Sequence, residues 1–358
     1  MMFGGVYRGR RVLVTGHSGF KGSWLSAWLV SLGAEVCGVS LPPETEPNHF
    51  TLLGDSGIRS EWCDVRDAEK LAAIVREFRP EILFHLAAQP LVRLSYREPA
   101  ETFAVNVGGT VNLLDAARCV DSLRAAVVVT SDKCYRNCER HEGYREEDPL
   151  GGRDPYSASK GCQEIVAASY RDSFFAASGV LLATARAGNV IGGGDWAADR
   201  LVPDLVRAAV KGEVEPLRSP DAVRPWQHVL EPLSGYLELG RRLLQNEKAS
   251  ADAWNFGPAE EQAVTVGDAA GLLRRFWPKV NFRFAPAPDA PHEAKLLRLD
   301  CTKAERELGW RGVWSTEEAF RHTAGWYRDY YETGRIGTAA DLDAYCSDAV
   351  RRGLSWTN

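Results

Sequence analysis

The chain has 358 residues, of which 45% are hydrophobic and 25% charged, the balance of an ordinary soluble globular protein. That balance excludes a disordered chain, a collagen-like fibre and a coiled coil. No apolar run approaches the ~20 residues that span a bilayer, which excludes a membrane protein. A net charge of −5, from 43 basic and 48 acidic residues, disfavours a general nucleic-acid binder.

Eight cysteines are scattered along the chain. Because residues 1–11 contain no signal peptide, we expect these cysteines to be reduced thiols in a cytosolic protein. Cys134, Cys138 and His141 lie close together, but their spacing matches no common zinc pattern, so we predict no metal site.

The first half of the chain alternates apolar strands with amphipathic helices. Strands are predicted over residues 11–15, 35–40, 81–85, 125–131 and 181–186. Helices are predicted over residues 22–32, 68–78 and 102–118. This alternation predicts a parallel sheet covered on both faces. The right-handed crossover rule then makes it a Rossmann-like, doubly wound α/β fold.

The pattern changes after residue 186, where glycines cluster at 192–194, prolines recur and the alternation fades. We therefore predict a cofactor-binding Rossmann domain over residues 1–187. A smaller C-terminal substrate-binding domain is predicted over residues 188–358. A segment around residues 225–258 is expected to return to the first domain.

A glycine-rich turn follows the first predicted strand, with the pattern T-G-x-x-G-x-x-G over residues 15–22. Glycines let the backbone approach a pyrophosphate closely, and the N-terminus of the next helix attracts the same group. The pattern, placed between a strand and a helix, predicts a dinucleotide site. We assign to it Gly16, Gly19, Phe20, Lys21 and Gly22.

The second strand ends in Val39-Ser40-Leu41 and lacks the acidic residue expected to bind the adenosine ribose. It also lacks an arginine for a 2′-phosphate, so NAD is favoured over NADP. Asp64 is a candidate for contacting the adenine edge. The alternative is that Asp64 caps a helix.

Tyr156 and Lys160 form a Y-x-x-x-K pair, whose spacing places both side chains on one helix face. An ammonium beside a phenol lowers the phenol's pKa from its ordinary ~10. Tyr156 can then remove a hydroxyl proton while a hydride leaves the same carbon. Ser131, after a buried strand, supplies a hydroxyl that orients the substrate oxygen.

Five further stretches complete a family pattern. They are H-L-A-A-Q-P-L-V at 85–92, T-S-D-K-C-Y at 130–135, D-P-L-G-G-R-D-P-Y at 148–156, R-A-G-N-V-I-G-G-G-D-W at 186–196 and R-P-W-Q-H-V at 224–229. With them, residues 9 to about 327 resemble the extended short-chain dehydrogenases/reductases of the nucleotide-sugar branch. Within that branch the chain is most similar to the CDP-glucose 4,6-dehydratases.

The resemblance implies conversion of CDP-glucose to CDP-4-dehydro-6-deoxyglucose and water, with NAD reduced and reoxidised in each turnover. Asp132-Lys133 after Ser131 is the pattern of the CDP-glucose enzymes. The dTDP-glucose dehydratases have Asp-Glu there, and the 4-epimerases have no dedicated acid and base. Lys133 is thus the candidate base for the C5 proton, and Asp132 the candidate acid for the C6 hydroxyl. The alternative is that both residues form an exposed charged turn.

The resemblance also implies binding residues and an assembly. Beside the cofactor it places Val65, Leu86, Ala87 and Ala88. Gln89 is expected to face the hexose, and Asn189 to contact the sugar diphosphate. Arg200 and Arg224 are the candidate cations for its phosphates, although each could equally be a surface arginine. By analogy alone, we expect a homodimer or homotetramer.

Three other functions stay open. They are a 4,6-dehydratase of another nucleotide sugar, a nucleotide-sugar 4-epimerase, and a non-catalytic NAD(H)-binding regulator. Asp132-Lys133 disfavours the epimerase. A regulator could afford to lose Tyr156 or Lys160, and this chain keeps both.

Overall fold

The computed structural model describes residues 1–258, 264–285 and 296–358. Its central sheet contains β1 (Arg11–Thr15), β2 (Glu35–Ser40), β3 (Arg59–Trp62), β4 (Ile82–His85), β5 (Ala125–Val129), β6 (Leu181–Arg186) and β7 (Ala253–Asn255). The spatial order is β7-β6-β5-β4-β1-β2-β3, and every neighbouring pair is parallel. The order reverses between β1 and β4, and ligands of such sheets bind at the carboxyl ends of strands beside that reversal.

Helices connect these strands and form much of the rest of the described chain. They are α1 (Phe20–Ser31), α2 (Ala68–Phe78), α3 (Gly109–Ala117), α4 (Pro155–Tyr170), α5 (Leu201–Lys211), α6 (Leu230–Leu244), α7 (Val266–Phe276), α8 (Thr316–Thr333) and α9 (Thr338–Arg351). Shorter helices cover His49–Leu52, Val92–Arg97, Pro99–Phe103 and Ala176–Ser178. In the described ranges, none of the helices combines the length and the apolarity that crossing a membrane requires.

Short two-stranded ladders join parts of the chain after β6. They pair Val190–Ile191 with Gln227–His228, Glu215–Leu217 with Phe282–Phe284, and Val223–Arg224 with Val264–Thr265. The first of these ladders holds the segment that follows β6 close to the sheet's carboxyl edge.

The sheet is covered on both faces because alternate residues of its strands point to opposite sides. Along β1, Val12 and Val14 belong to an apolar core that includes Trp24 of α1 and Leu233 of α6. Leu13 belongs to a second core, which contains buried residues of α2 and α3. This arrangement confirms the predicted doubly wound α/β fold.

Several elements differ from their predicted bounds. The helix predicted over 102–118 begins earlier, at Pro99. It runs as the short helix Pro99–Phe103, continues through a π-helical turn at Ala104–Gly108 and ends as α3. β3 was not predicted, and β5 ends at Val129, before Ser131. β7 pairs with β6, so part of the later chain extends the first sheet. The division at residue 187 stays a prediction, and residues 259–263 and 286–295 lie outside the described residues.

Candidate active site

The glycine turn after β1 is packed too tightly for side chains. Gly16 has φ +76°, and a Cβ there would lie 2.8 Å from the Ala87 nitrogen. A Cβ on Gly22 would lie 2.0 Å from the Gly16 oxygen. α1 begins directly after Gly19, and no side chain caps its first N–H groups. A tight turn leading into an uncapped helix N-terminus fits the pyrophosphate of a dinucleotide.

The segment after β4 lies against this turn, as the resemblance implies. The N–H groups of Leu86 and Ala87 both donate to Thr15 Oγ1 at 3.2 Å. Leu86, Ala87 and Ala88 are half-buried, and Val65 is buried. The backbone that follows β4 thus borders the predicted cofactor site.

Phe20 and Lys21 are the first two residues of α1, and both are half-buried. A Cβ on Gly192 would lie 3.3 Å from the Phe20 ring, which places the glycines after β6 next to the turn. Burial, together with the positive charge of Arg200, lowers the pKa of Lys21 to about 8. The charge of Asp132 has the opposite effect on this pKa, so the turn and the catalytic residues share one electrostatic environment.

Neutral hydroxyl groups occupy the end of β2. Ser40 Oγ lies 2.8 Å from Ser18 Oγ and 3.1 Å from His17 Nδ1. Burial lowers the pKa of His17 to about 4, so this imidazole is neutral at pH 7. Ser40, which ends β2 where an acidic residue was expected, is therefore polar but uncharged.

Asp64 is engaged by a neighbouring arginine. Arg66 Nε lies 3.0 Å from Asp64 Oδ1, Arg66 Nη2 lies 2.5 Å from Oδ2, and the pair holds the pKa of Asp64 below its usual range. The alternative of a helix cap is wrong, because Asp67 caps α2 by accepting from the Lys70 N–H at 3.0 Å. The predicted adenine contact of Asp64 stays a prediction.

Ser131 begins a single helical turn, residues 131–134, that we call the catalytic turn because it contains the predicted catalytic residues Ser131, Asp132 and Lys133. Ser131 Oγ donates to Asp132 Oδ1 at 2.8 Å and accepts from the Lys133 N–H at 3.2 Å. Asp132 is 1% exposed and Lys133 is half-buried. The alternative of an exposed charged turn is therefore wrong.

The carboxyl group of Asp132 accepts hydrogen bonds from two neutral side chains, those of Ser131 and Asn189. Asn189 Nδ2 donates to Asp132 Oδ2 at 3.3 Å, and a Cβ on Gly188 would lie 1.9 Å from the same oxygen. Asn189 itself has φ +50°. Among the described residues, no ion pair joins Asp132 to Lys133. Glycine at 188 is thus required for Asp132 to occupy this place.

Tyr156 and Lys160 lie on α4, whose start is capped by Asp154. Lys160 Nζ lies 5.9 Å from the centroid of the Tyr156 ring. Burial raises the pKa of Tyr156 to about 12, although its hydrogen bond with Ser131 lowers that value. Burial lowers the pKa of Lys160 to about 7, and Lys21 adds repulsion. Burial thus outweighs the groups that lower the pKa of Tyr156, and the effect of the Lys160 ammonium on the phenol stays a prediction.

The predicted substrate residues lie in different surroundings. Arg200 pairs with Asp195 at 2.8 Å, and its charge lowers the pKa of Tyr156, which places it near the catalytic residues. Arg224 donates to the backbone oxygen of Val223 at 2.9 Å.

Gln89 is buried, and its side-chain amide donates to Thr102 Oγ1 at 2.9 Å and accepts from the Leu91 N–H. The hexose contact of Gln89 and the phosphate contact of Arg224 stay predictions.

Two residues near the catalytic turn were not predicted as functional. Glu164 of α4 and Arg186 of β6 form a fully buried ion pair at 2.8 Å. The sequence offered one signal for Glu164, since it follows Lys160 at helical spacing and therefore lies on the same helix face. Among the described residues, no group of three or more His, Cys, Asp and Glu side chains could hold a metal ion.

Comparisons place these features among known proteins. A family model described as GDP-mannose 4,6 dehydratase matches residues 13–323. The CDP-glucose 4,6-dehydratase of Salmonella typhimurium (strain LT2) is 48% identical over 353 residues, covering 96% of this chain and 98% of that protein. A dTDP-glucose 4,6-dehydratase of Streptomyces antibioticus is 29% identical, covering 89% of this chain and 92% of that protein.

Solved structures share the fold. A dTDP-glucose 4,6-dehydratase from Streptomyces venezuelae, with NAD and TYD bound, has a TM-score of 0.75 at 26% identity, covering 89% of this chain and 97% of that one. The UDP-glucose 4-epimerase of Thermus thermophilus, in complex with NAD, has a TM-score of 0.75 at 26% identity, covering 89% of this chain and 99% of that one. These matches confirm the predicted fold and the resemblance.

Proposed function

The chain belongs to the GDP-mannose 4,6-dehydratase family, among the extended short-chain dehydrogenases/reductases, and on this premise we propose that it is a CDP-glucose 4,6-dehydratase. The reaction converts CDP-glucose to CDP-4-dehydro-6-deoxyglucose and water. The observation that carries the proposal is Asp132-Lys133 in the buried catalytic turn, directly after Ser131. The Salmonella relative, at 48% identity over nearly the whole chain, supports the choice of CDP-glucose.

We include NAD in the proposal, held by the glycine turn and by the backbone after β4. The tight Gly16–Ala87 approach and the uncapped start of α1 support this choice, and both solved relatives described above contain NAD. Uncharged Ser40 at the end of β2, with Ser18 hydrogen-bonded to it, offers no positive charge to a 2′-phosphate. When bound, NAD supplies a hydride acceptor for C4 and a hydride donor for C6.

The chain's own residues move the protons. Tyr156 takes the proton of the C4 hydroxyl, while Ser131 holds the same oxygen by a hydrogen bond. The resulting C4 ketone acidifies the C5 proton, which the neutral Lys133 amine removes, and the Lys133 ammonium returns that proton to C5 when C6 has received the hydride. Asp132 donates a proton to the C6 hydroxyl, which leaves as water. Lys160, beneath the Tyr156 ring, stabilises the phenolate once its own ammonium is formed.

The substrate's diphosphate requires cations and amide donors. Asn189 sits beside Asp132, and Arg200 is oriented by its ion pair with Asp195. We assign the diphosphate to Asn189, Arg200 and Arg224, because arginine matches the geometry of phosphate oxygens. Gln89 is assigned to the hexose side.

We extend the proposal to a cytoplasmic homodimer or homotetramer. α4 exposes Ile165 at 60%, and Phe103 and Phe174 are also exposed on neighbouring helical segments. Apolar side chains at these positions support helix-to-helix pairing between two copies. All eight cysteines are free thiols, which supports a reducing compartment.

Two alternatives are disfavoured by specific observations. A 4-epimerase needs no acid and base beside Ser131, whereas here Asp132 is buried against Ser131 and Asn189. A non-catalytic regulator has no need for a buried Tyr156 and Lys160 pair at one site.

A comparison of four nucleotide sugars tests the proposal. The enzyme is incubated with NAD and separately with CDP-, UDP-, GDP- and dTDP-glucose, and products are measured by mass spectrometry. We expect loss of one water from CDP-glucose alone. A product of unchanged mass would indicate epimerisation, and water loss from another nucleotide sugar in preference would reassign the base.

A further inference from the structure

A buried ion pair lies beneath the catalytic turn. Arg186, at the end of β6, and Glu164, on α4, are each 3% exposed, and Arg186 Nη2 lies 2.8 Å from Glu164 Oε2. Burying two charges is costly unless further hydrogen bonds satisfy both groups. The partners of this pair therefore indicate which parts of the site it holds.

The carboxylate of Glu164 accepts hydrogen bonds at both oxygens. Thr130 Oγ1 donates to Oε1, and Thr184 Oγ1 donates to Oε2 at 2.7 Å. Thr130 is the residue immediately before Ser131, whereas Thr184 lies within β6. Glu164 also follows Lys160 by one turn of α4. It thus ties the helix of Tyr156 and Lys160 to the start of the catalytic turn.

The guanidinium of Arg186 holds the other end of the catalytic turn. Arg186 Nη1 donates to the Tyr135 hydroxyl at 2.7 Å and to the backbone oxygen of Glu146 at 2.9 Å. The guanidinium carbon lies 4.9 Å from the centroid of the Tyr135 ring. Tyr135 directly follows the catalytic turn, and its hydroxyl donates to Asn255 Oδ1 at 2.7 Å. Both ends of the turn are therefore anchored to one ion pair.

We propose that the Glu164–Arg186 pair positions the elimination residues Asp132 and Lys133 relative to the oxidation residues on α4. Glu164 and Arg186 are positioning residues, because both are buried behind the turn. The inference rests on the proposed function, which assigns the roles of Asp132 and Lys133. Since catalytic groups must be held within about 0.5 Å of their productive geometry, a loosened turn slows the step that depends on it.

Tyr135→Phe tests the anchor at the Lys133 end, because it removes one hydroxyl and keeps the ring. Thr184→Val is the matched control, since it removes a hydrogen bond to the other member of the same ion pair, Glu164, without touching either end of the turn. We expect Tyr135→Phe to lower kcat by roughly tenfold to a hundredfold with KM unchanged. It should also raise the fraction of bound NADH during turnover, because elimination slows more than oxidation. Thr184→Val should keep the wild-type kcat and the wild-type fraction of bound NADH, even if its Tm falls as far as the Tm of Tyr135→Phe.

Two results would overturn the inference. One is a wild-type NADH fraction in Tyr135→Phe, which would mean that the variant merely lost folded enzyme. The other is an equal change in Thr184→Val.

Amide hydrogen exchange separates this inference from the proposed function, since it needs no substrate. Exchange in residues 131–134 should speed up in Tyr135→Phe and not in Thr184→Val. Unchanged exchange in Tyr135→Phe would contradict positioning, whatever the substrate. If wild-type enzyme made no product from CDP-glucose while exchange changed as expected, the proposed function would fail and the positioning role would stand.

Discussion

Replacing Lys133 with methionine should stop the reaction after the first oxidation. The methionine side chain keeps much of the lysine stem but removes the amine that we propose accepts the C5 proton. Ser131, Tyr156 and Lys160 stay in place, so the variant should still reduce bound NAD with CDP-glucose and show NADH absorbance. It should not release water, and it should not exchange the C5 proton with deuterated solvent. Absorbance and mass spectrometry after incubation in D₂O measure these outcomes.

Lys248 provides the control for this variant. Lys248 is exposed and lies in a short helical turn, Lys248–Ser250, that resembles the turn of Lys133. Lys248→Met should turn over like the wild type. Normal C5 exchange in Lys133→Met would reassign the base to Asp132 or to a bound water. Loss of the NADH signal as well would indicate that Lys133 holds the substrate or affects Tyr156.

Replacing Tyr156 with phenylalanine should lower turnover by ~10²-fold or more, because it removes the group that we propose accepts the C4 hydroxyl proton. The ring stays, so CDP-glucose should bind with an affinity near that of the wild type, as measured by calorimetry. The variant should show no NADH signal, since it fails before the first oxidation. That failure distinguishes it from Lys133→Met.

Tyr170, at the far end of the same helix, offers the matched control. Tyr170→Phe removes a hydroxyl from α4 about 20 Å away along the helix axis, at 1.5 Å per residue, and should keep wild-type turnover. Turnover near wild type in Tyr156→Phe would mean that another group accepts the proton.

Much of the sheet could be predicted because its strands are buried. β1, β2 and β6 lie at their predicted bounds, since each is a largely apolar run that is buried except at its first residue. β3 is different, because Arg59–Trp62 forms the sheet edge and none of its four residues is buried. A polar edge strand has no periodic apolar signal, so only its pairing with β2 reveals it.

The proximity of the site residues could be predicted where their motifs directly follow neighbouring strands of one sheet. β1, β4 and β5 are neighbours, so the residues that follow them, Gly16, Leu86 and Ser131, meet at one edge. The anchoring pair could not be predicted in this way. Glu164 and Arg186 meet because α4 packs over β6, and the partners of each depend on side-chain directions that spacing does not contain. The engagement of Asp64 by Arg66 depends on such directions too.

Transfer of deuterium within one substrate molecule tests the central claim most directly. CDP-glucose carrying deuterium at C4 is incubated with the enzyme and NAD, and the product is examined by NMR and mass spectrometry. Since the hydride taken from C4 returns to C6 before the cofactor leaves, the product should carry deuterium at C6, and free NADH should not accumulate. Stoichiometric free NADH, with no deuterium at C6, would show an ordinary dehydrogenase and contradict the dehydratase account.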